Sequence, residues 1–258
     1  MFSSRSRIAR SGLAAAIAFS IAMAAAPAGA HAAGGDVPID YPTFAGASKT
    51  LDRNGTADII TSSGHVRQRI LRLTAGGYRQ AGSAWAKTKI DLNSSFESTF
   101  KAYLHHFKPG ADGIAFLVQS EGPRALGGWG GGLGYRGIEH SVAVEFDTYQ
   151  NSSDPSNNSL AVVIGGNPDH QSIIGEPSIP LYGKPFLARV AYDADSEQLR
   201  IYVRSLRAGA DEELALRTRI DLADEVGADS AWVGFTAATG SALSKQDIYS
   251  WSVATPDN

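Results

Sequence analysis

The segment from Ser141 to Ser159, SVAVEFDTYQNSSDPSNNS, concentrates the residue types that could do chemistry. In an extended strand residues two apart share a face, so Val142, Val144 and Phe146 point one way and Glu145, Asp147 and Tyr149 the other. The apolar trio marks a core face, and the acids are expected to converge on the outer one. Asn151 adds an amide oxygen one step further, and Asp154 returns after a Ser-Ser turn, with Pro155 fixing the backbone behind it. Asp147, the Tyr149 carbonyl, Asn151 and Asp154 make an all-oxygen set. Hard oxygen donors in a flexible loop suit Ca2+, which takes roughly 6–8 oxygens at about 2.3–2.6 Å. The same string also describes an acidic outer strand face with a solvated turn, so spacing alone leaves both readings open.

Three other segments carry unusual patterns. Ala111-Asp112-Gly113 directly precedes the apolar run IAFLV, residues 127–134 read GGWGGGLG, and residues 233–240 read VGFTAATG ahead of SALSKQDIYSWSV. The glycine-rich loop is not followed by Lys-Ser/Thr or by a helix start, which argues against a phosphate cradle. The histidines offer little: His105 and His106 fall on adjacent, opposite-facing positions of a predicted strand and cannot meet at one metal. His65 and His140 read as loop residues, and His31 adjoins a cleavage pattern. Trp85, Trp232 and Trp251 fall in predicted strands and are expected in the core. Trp129, set among glycines, reads equally as core or as an exposed indole.

The elements that must hold these residues are strands. From Asp36 onward, turn residues recur at short intervals, and the stretches between them alternate or are β-branched. Strands are predicted at 58–62, 68–73, 85–92, 96–107, 114–119, 142–149, 160–164, 186–192, 199–204, 214–220, 232–237 and 248–253. Leu187–Arg204 is the clearest hairpin, turning through Asp193–Glu197, and only Leu222–Val226 suggests a helical turn. No strand–helix alternation and no repeat of 20–50 residues is visible, which leaves an antiparallel β-sandwich as the fold class.

Composition agrees. The 258 residues are 43% hydrophobic and 19% charged, as in a globular chain, and the absence of Cys excludes disulfides, thiolate metal sites and a cysteine nucleophile. Arg5, Arg7 and Arg10 precede the uncharged run Gly12–Ala26 and then Pro27-Ala28-Gly29-Ala30, the pattern of a secretory signal. Residues 1–30 are therefore expected to be a signal peptide cleaved after Ala30 or Ala32, and 31–258 one secreted domain, extracellular or periplasmic. Removing three of the 23 basic residues and none of the 26 acidic ones leaves a formal charge of −6. That balance gives no electrostatic case for nucleic acid or an anionic membrane, and no membrane span is expected after signal removal.

In their order and wording, AD-G-IAF at 111–116, GGGLGY at 130–135, VAVEFDTYQN…DP at 142–155 and VGFTAATG…SWS at 233–252 resemble the L-type, or legume-type, lectins. The likeness runs from about Phe44 to Val253, and the short loop from Asn151 to Asp154 is similar to that of secreted bacterial members. It implies a jelly roll with a flat back sheet and a curved front sheet, the architecture that lectins share with some glucanases. It also implies a calcium-dependent, non-catalytic carbohydrate-binding protein whose partners are glycans or glycoconjugates. Neutral sugars are expected, mannose or glucose types slightly favoured, and a homo-oligomer through the back sheet is left open.

Carried over by residue, the resemblance makes Asp147, the Tyr149 carbonyl, Asn151 and Asp154 the calcium ligands. Glu145, Asp147 and Asp154 match an adjoining transition-metal site. Asp112, after a cis peptide with Ala111, matches the sugar-binding carboxylate, Gly131 a backbone N–H donor to sugar, and Asn151 a second hydroxyl contact. The Tyr149 ring would support the sugar's apolar face, and Ser241 and Ala242 match the loop that tunes monosaccharide choice. A carboxylate and an amide can read vicinal hydroxyls, and an aromatic face suits sugar C–H groups.

Two departures stand out. Ser159 occupies the place of a family His and is a poor ligand for Mn2+ or Zn2+, so the transition-metal site is expected to be weak or lost. The loop from Asn151 to Asp154 is short, which brings Asn157 or Asn158 in as a replacement or supplement to Asp154. His170 falls where mannose-binding cargo receptors place a sugar-contacting His. The rival reading is a glycoside hydrolase on the same sandwich, whose E-x-D-x-x-E signature here ends in Gln150, a neutral amide that cannot protonate a leaving group. A sandwich that has lost sugar recognition and serves as an adhesion or structural module is a third reading.

Overall fold

Alternation along the chain builds two facing sheets. The computed structural model describes residues 38–63, 67–107, 110–152, 154–170 and 173–255. They fall within one contact unit, Gly34–Asn258, while the expected signal peptide falls in a second, Met1–Ala33, and lies outside the described residues, as do His31 and His65. The strands are β1 (Ile39–Tyr41), β2 (Leu51–Gly55), β3 (Asp58–Thr61), β4 (Arg69–Ala75), β5 (Ala81–Ala86), β6 (Ile90–Asp91), β7 (Phe96–Leu104) and β8 (Gly113–Gln119). They continue as β9 (Ser141–Asp147), β10 (Ser159–Ile164), β11 (Ile173–Gly175), β12 (Phe186–Asp193), β13 (Gln198–Ser205), β14 (Glu213–Arg219), β15 (Ser230–Ala238) and β16 (Lys245–Ala254). The back sheet runs β14-β13-β12-β7-β16-β4-β3 with β1 added to β16, and the front sheet β11-β10-β9-β8-β15-β5-β2 with β6 added to β15.

In β7, FESTFKAYL, every second residue is buried, as expected of a strand with one solvated face. In β8 and β9 every residue is buried, because the front sheet is covered on both sides. Ile114, Phe116, Val142, Val144 and Phe146 face the back sheet in the main core. There Phe100 meets the Phe235 ring edge-on at 4.9 Å and Phe146 at 5.4 Å. Leu117 and Ala143 face the other way, into a second core with Trp85, Leu133, Tyr135 and Val163. The loop carrying the glycines is thus folded onto the sheet and roofs it.

That roof corrects the expected outward acids. Glu145 and Asp147 do point away from the main core, yet they are only 0% and 4% exposed, because alternation reports the face and not what lies above it. Trp85 and Trp251 are buried, but Trp232 is half-buried, with the Lys89 ammonium 3.8 Å from its ring centroid. The strand predicted over 96–107 stops at Leu104, so His105 and His106 are loop residues, and His105 bonds Asp247 at 2.6 Å. The strand predicted over 85–92 is two, β5 and β6, and the short strands β1, β2 and β11 carry too few alternating residues to have been predicted. The 187–204 hairpin and the turn of helix at Leu222–Val226, capped by Asp221, are as expected.

Candidate functional site

Strand register brings the singled-out segments to one end of the front sheet. Gly113 pairs with Asp147 across β8 and β9, and Ala238 pairs with Gly113 across β15 and β8. The residues just beyond these strand ends, Asp112, Thr148 and Thr239, therefore emerge side by side. Asp112 is tied down by its backbone: its N–H donates to the Ala238 carbonyl at 3.0 Å, and its carbonyl accepts from the Thr148 N–H at 2.9 Å and hydroxyl at 3.0 Å. The Ala111–Asp112 peptide is cis.

The Asp112 side chain is 5% exposed, and its Oδ2 is buried without a hydrogen-bond partner. Burial pushes this carboxyl up to about 7, with the nearby Gly240 backbone N–H opposing the shift. Gly240 borders it directly, since a Cβ there would lie 3.7 Å from that Oδ2. Gly131 stands against Asn151: a Cβ on it would be 3.3 Å from Asn151 Oδ1. Tyr149 is half-buried, Asn151 and Ser241 are exposed, and Ala242 is buried with its carbonyl accepting from Gly240 N–H at 3.2 Å.

Thr239, which sequence reasoning did not single out, stitches three loops together. Its hydroxyl accepts from Gln80 N–H at 2.9 Å and donates to the Gly77 carbonyl at 2.7 Å, while its own carbonyl accepts from Gly130 N–H at 3.1 Å. Gln80 returns the contact by accepting from Thr239 N–H at 2.9 Å. A buried Thr two residues before a variable loop gives no sequence signal of this kind.

The acids behave as a desolvated group. Burial pushes the Glu145 carboxyl up to about 8, partly offset by the hydrogen bond from Tyr135, with Asp154 raising it further. Burial also holds Asp147 well above its ordinary value, opposed by its bond from Tyr149 N–H and reinforced by Glu145, Asp154 and Asp112. Asp154 Oδ2 accepts from Asn151 N–H at 2.6 Å, which folds the short loop back on itself. Asn158 donates to the Pro177 and Ile179 carbonyls and accepts from Leu181 N–H, so it anchors a neighbouring loop. Asn157 is exposed, and His170 shares a hydrogen bond with Asn167 at an exposed turn. Ser159 pairs with Asp147 in the β9–β10 ladder and is buried.

A family model described as the legume lectin beta-barrel domain, for L-type lectins, matches residues 44–252. The chain belongs to the L-type lectin family. A lectin of Onobrychis viciifolia is 31% identical over 179 residues, covering 65% of this chain and 70% of that one. Peanut lectin, solved with a 9mer peptide, superposes with a TM-score of 0.72 at 21% identity, covering 85% of this chain and 97% of that one. A Bauhinia forficata lectin in complex with GalNAc gives 0.69 at 23% identity, covering 85% and 98%. The two antiparallel sheets are therefore the L-type lectin sandwich, and the lectins among its relatives support carbohydrate binding as its function.

Legume lectins are metal-dependent in general, and the donor set here can be tested against a divalent cation. Among the described residues no three His, Asp or Glu side chains are arranged to hold a metal. The expected calcium set, however, needs only two carboxylates, with a carbonyl and an amide. Asp147 is bonded to Tyr149 and Asp154 to Asn151, and Asp147 is a buried acid whose charge is unfavourable where it stands and is made more so by Asp154. Such a set fits a hard cation, which would stabilise the ionised form that burial disfavours. The three-acid set is less suitable, because Glu145 Oε1 accepts from the Tyr135 hydroxyl.

Proposed function

We propose that the chain is a secreted, calcium-dependent and non-catalytic lectin that binds a neutral pyranose at the end of the front sheet. The carrying observation is Asp112 Oδ2, an acceptor buried without a partner where the glycine-rich, Asn151 and Gly240 loops converge. A buried unpaired acceptor costs about 1–3 kcal/mol, and a sugar hydroxyl is a donor that would satisfy it. Asn151 would read a neighbouring hydroxyl, the Gly131 backbone would approach the ring without a side chain between, and Tyr149 would cover its apolar face. Ser241 and Ala242, which directly follow Gly240, would close the remaining side and set the stereochemistry accepted.

Calcium would be held by Asp147, the Tyr149 carbonyl, Asn151 and Asp154, and when bound it supplies positive charge that keeps these acids ionised and the two bends rigid. The non-catalytic reading is supported by Gln150, whose amide is exposed and donates to the Pro155 carbonyl at 3.1 Å. Export rests on the basic and apolar character of residues 1–30.

The test is titration of glucose, mannose, galactose and GalNAc into wild type, Asp112→Ala and Asp112→Asn, with the fold checked by circular dichroism. Loss of binding in both folded variants is expected. Unchanged affinity would place the site elsewhere, and release of reducing ends from a glycan would favour the hydrolase.

A further inference from the structure

Beside this site stands a cluster that the reading above does not use. Arg79 Cζ lies 4.9 Å from the Tyr78 ring centroid and 4.5 Å from that of Trp129. Tyr78 is 60% and Trp129 51% exposed, so two large rings and a cation face water together on the loop between β4 and β5 and on the glycine-rich loop.

The cluster is fastened to the rim of the neutral-sugar site. Arg79 N–H donates to the Gly240 carbonyl at 3.2 Å, and Gly240 is the residue that borders Asp112 Oδ2. Trp129 immediately precedes Gly130, whose N–H is bonded to Thr239, and Gly131 follows. Arg79 has φ 50, a left-handed conformation uncommon for a non-glycine residue, and the hydrogen bonds of Gln80 and Thr239 hold this bend in place.

Arg79 differs in its partners from the arginines that pair with acids. Arg53, Arg72, Arg136, Arg189 and Arg219 each pair with an acid. Among the described residues the Arg79 guanidinium makes no ion pair, and its partners are aromatic faces. Stacking of that kind positions the guanidinium plane while leaving its N–H edge unfilled, and that edge matches a carboxylate bidentately. An indole at the same place offers a face for the C–H groups of a pyranose. The mature chain is acidic overall, so this is a local attraction for an anion and not part of a basic surface.

We propose that Tyr78, Arg79 and Trp129 form a second subsite that takes a carboxylate-bearing sugar, a uronic-acid type residue linked to the neutral sugar at Asp112. The proposal rests on the neutral-sugar reading above. The probes are disaccharides of glucuronic acid linked to galactose or to mannose, each with its carboxyl-reduced neutral counterpart, titrated calorimetrically in calcium at low ionic strength. The acidic form of the disaccharide that binds is expected to bind about fivefold or more tighter than its reduced form, the order of one charge-assisted pair at a partly exposed site. Arg79→Gln should erase that difference and leave free monosaccharide binding unchanged, while Trp129→Ala should weaken both disaccharides.

Equal affinity for acidic and reduced forms in wild type, or a preference that survives Arg79→Gln, would overturn the subsite. A wild type that ignores every monosaccharide yet prefers the acid through Arg79 would keep the subsite and overturn the neutral-sugar reading. Binding of neither would overturn both.

Discussion

The Tyr135 hydroxyl donates a hydrogen bond to Glu145 Oε1 beneath the glycine-rich loop, with both side chains fully buried. The bond joins the roof of the front sheet to its inner strand β9. Tyr135 belongs to the second core and Glu145 shares its strand face with Asp147, so the roof and the acids are one packed unit. Tyr135→Phe keeps the ring and removes the donor. It is expected to cost about 1–3 kcal/mol, the penalty for weakening the support of a buried acceptor. Urea unfolding at fixed pH measures it, and an unchanged midpoint would mean that the bond contributes nothing net.

Gly131 tests the access route. A Cβ there would lie 3.3 Å from Asn151 Oδ1 and 3.5 Å from Nδ2, close enough to press on the amide without striking backbone. Gly131→Ala should therefore fold with a melting temperature near wild type and lose roughly tenfold or more in sugar affinity, an effect of about 1.4 kcal/mol. Wild-type affinity would show that the sugar does not approach this backbone.

Thr239→Val removes a hydroxyl that both accepts from Gln80 and donates to Gly77. Loss of two hydrogen bonds of ordinary strength should destabilise by about 1–3 kcal/mol. Amide exchange of residues 76–80 should rise more than that of the back sheet. Uniform acceleration across both sheets would argue that Thr239 has no special role in joining the loops.

The acid limb of stability should trace to the back sheet. Asp247 is buried, which by itself would raise its carboxyl, but hydrogen bonds from Arg72 at 2.7 and 2.8 Å and from His105 at 2.6 Å outweigh this and hold it below its ordinary 3.8. A depressed folded value means that the stabilisation is present above about pH 4 and lost as pH falls through the folded pKa. Asp247→Asn should lower stability at pH 7 by about 3 kcal/mol, because it strands Arg72, and should flatten the loss below pH 4. An acid limb as steep as that of wild type would assign it to other carboxylates.

These cases show how much was legible beforehand. The sandwich could be read because strands such as FESTFKAYL and ARVAY alternate, and Val142, Val144 and Phe146 enter the main core as that alternation requires. The site segments could be placed because each short motif abuts a strand, and register then fixes their ends together. Burial of Glu145 could not be read, since it depends on a loop folding back over the sheet. The Thr239 junction and the Arg79 stack were equally hidden: both depend on contacts between loops more than 100 residues apart or about 50 apart, where strand periodicity carries no information.

A bound sugar must meet Asp112 and Asn151 together, and diffraction from crystals grown in calcium and soaked with the best-binding monosaccharide tests this most directly. The expected map shows adjacent ring hydroxyls within about 3 Å of the Asp112 carboxylate and the Asn151 amide, the normal hydrogen-bond range, with calcium on Asp147 and Asp154. Sugar bound at another surface, or calcium in place with Asp112 still untouched, would contradict it.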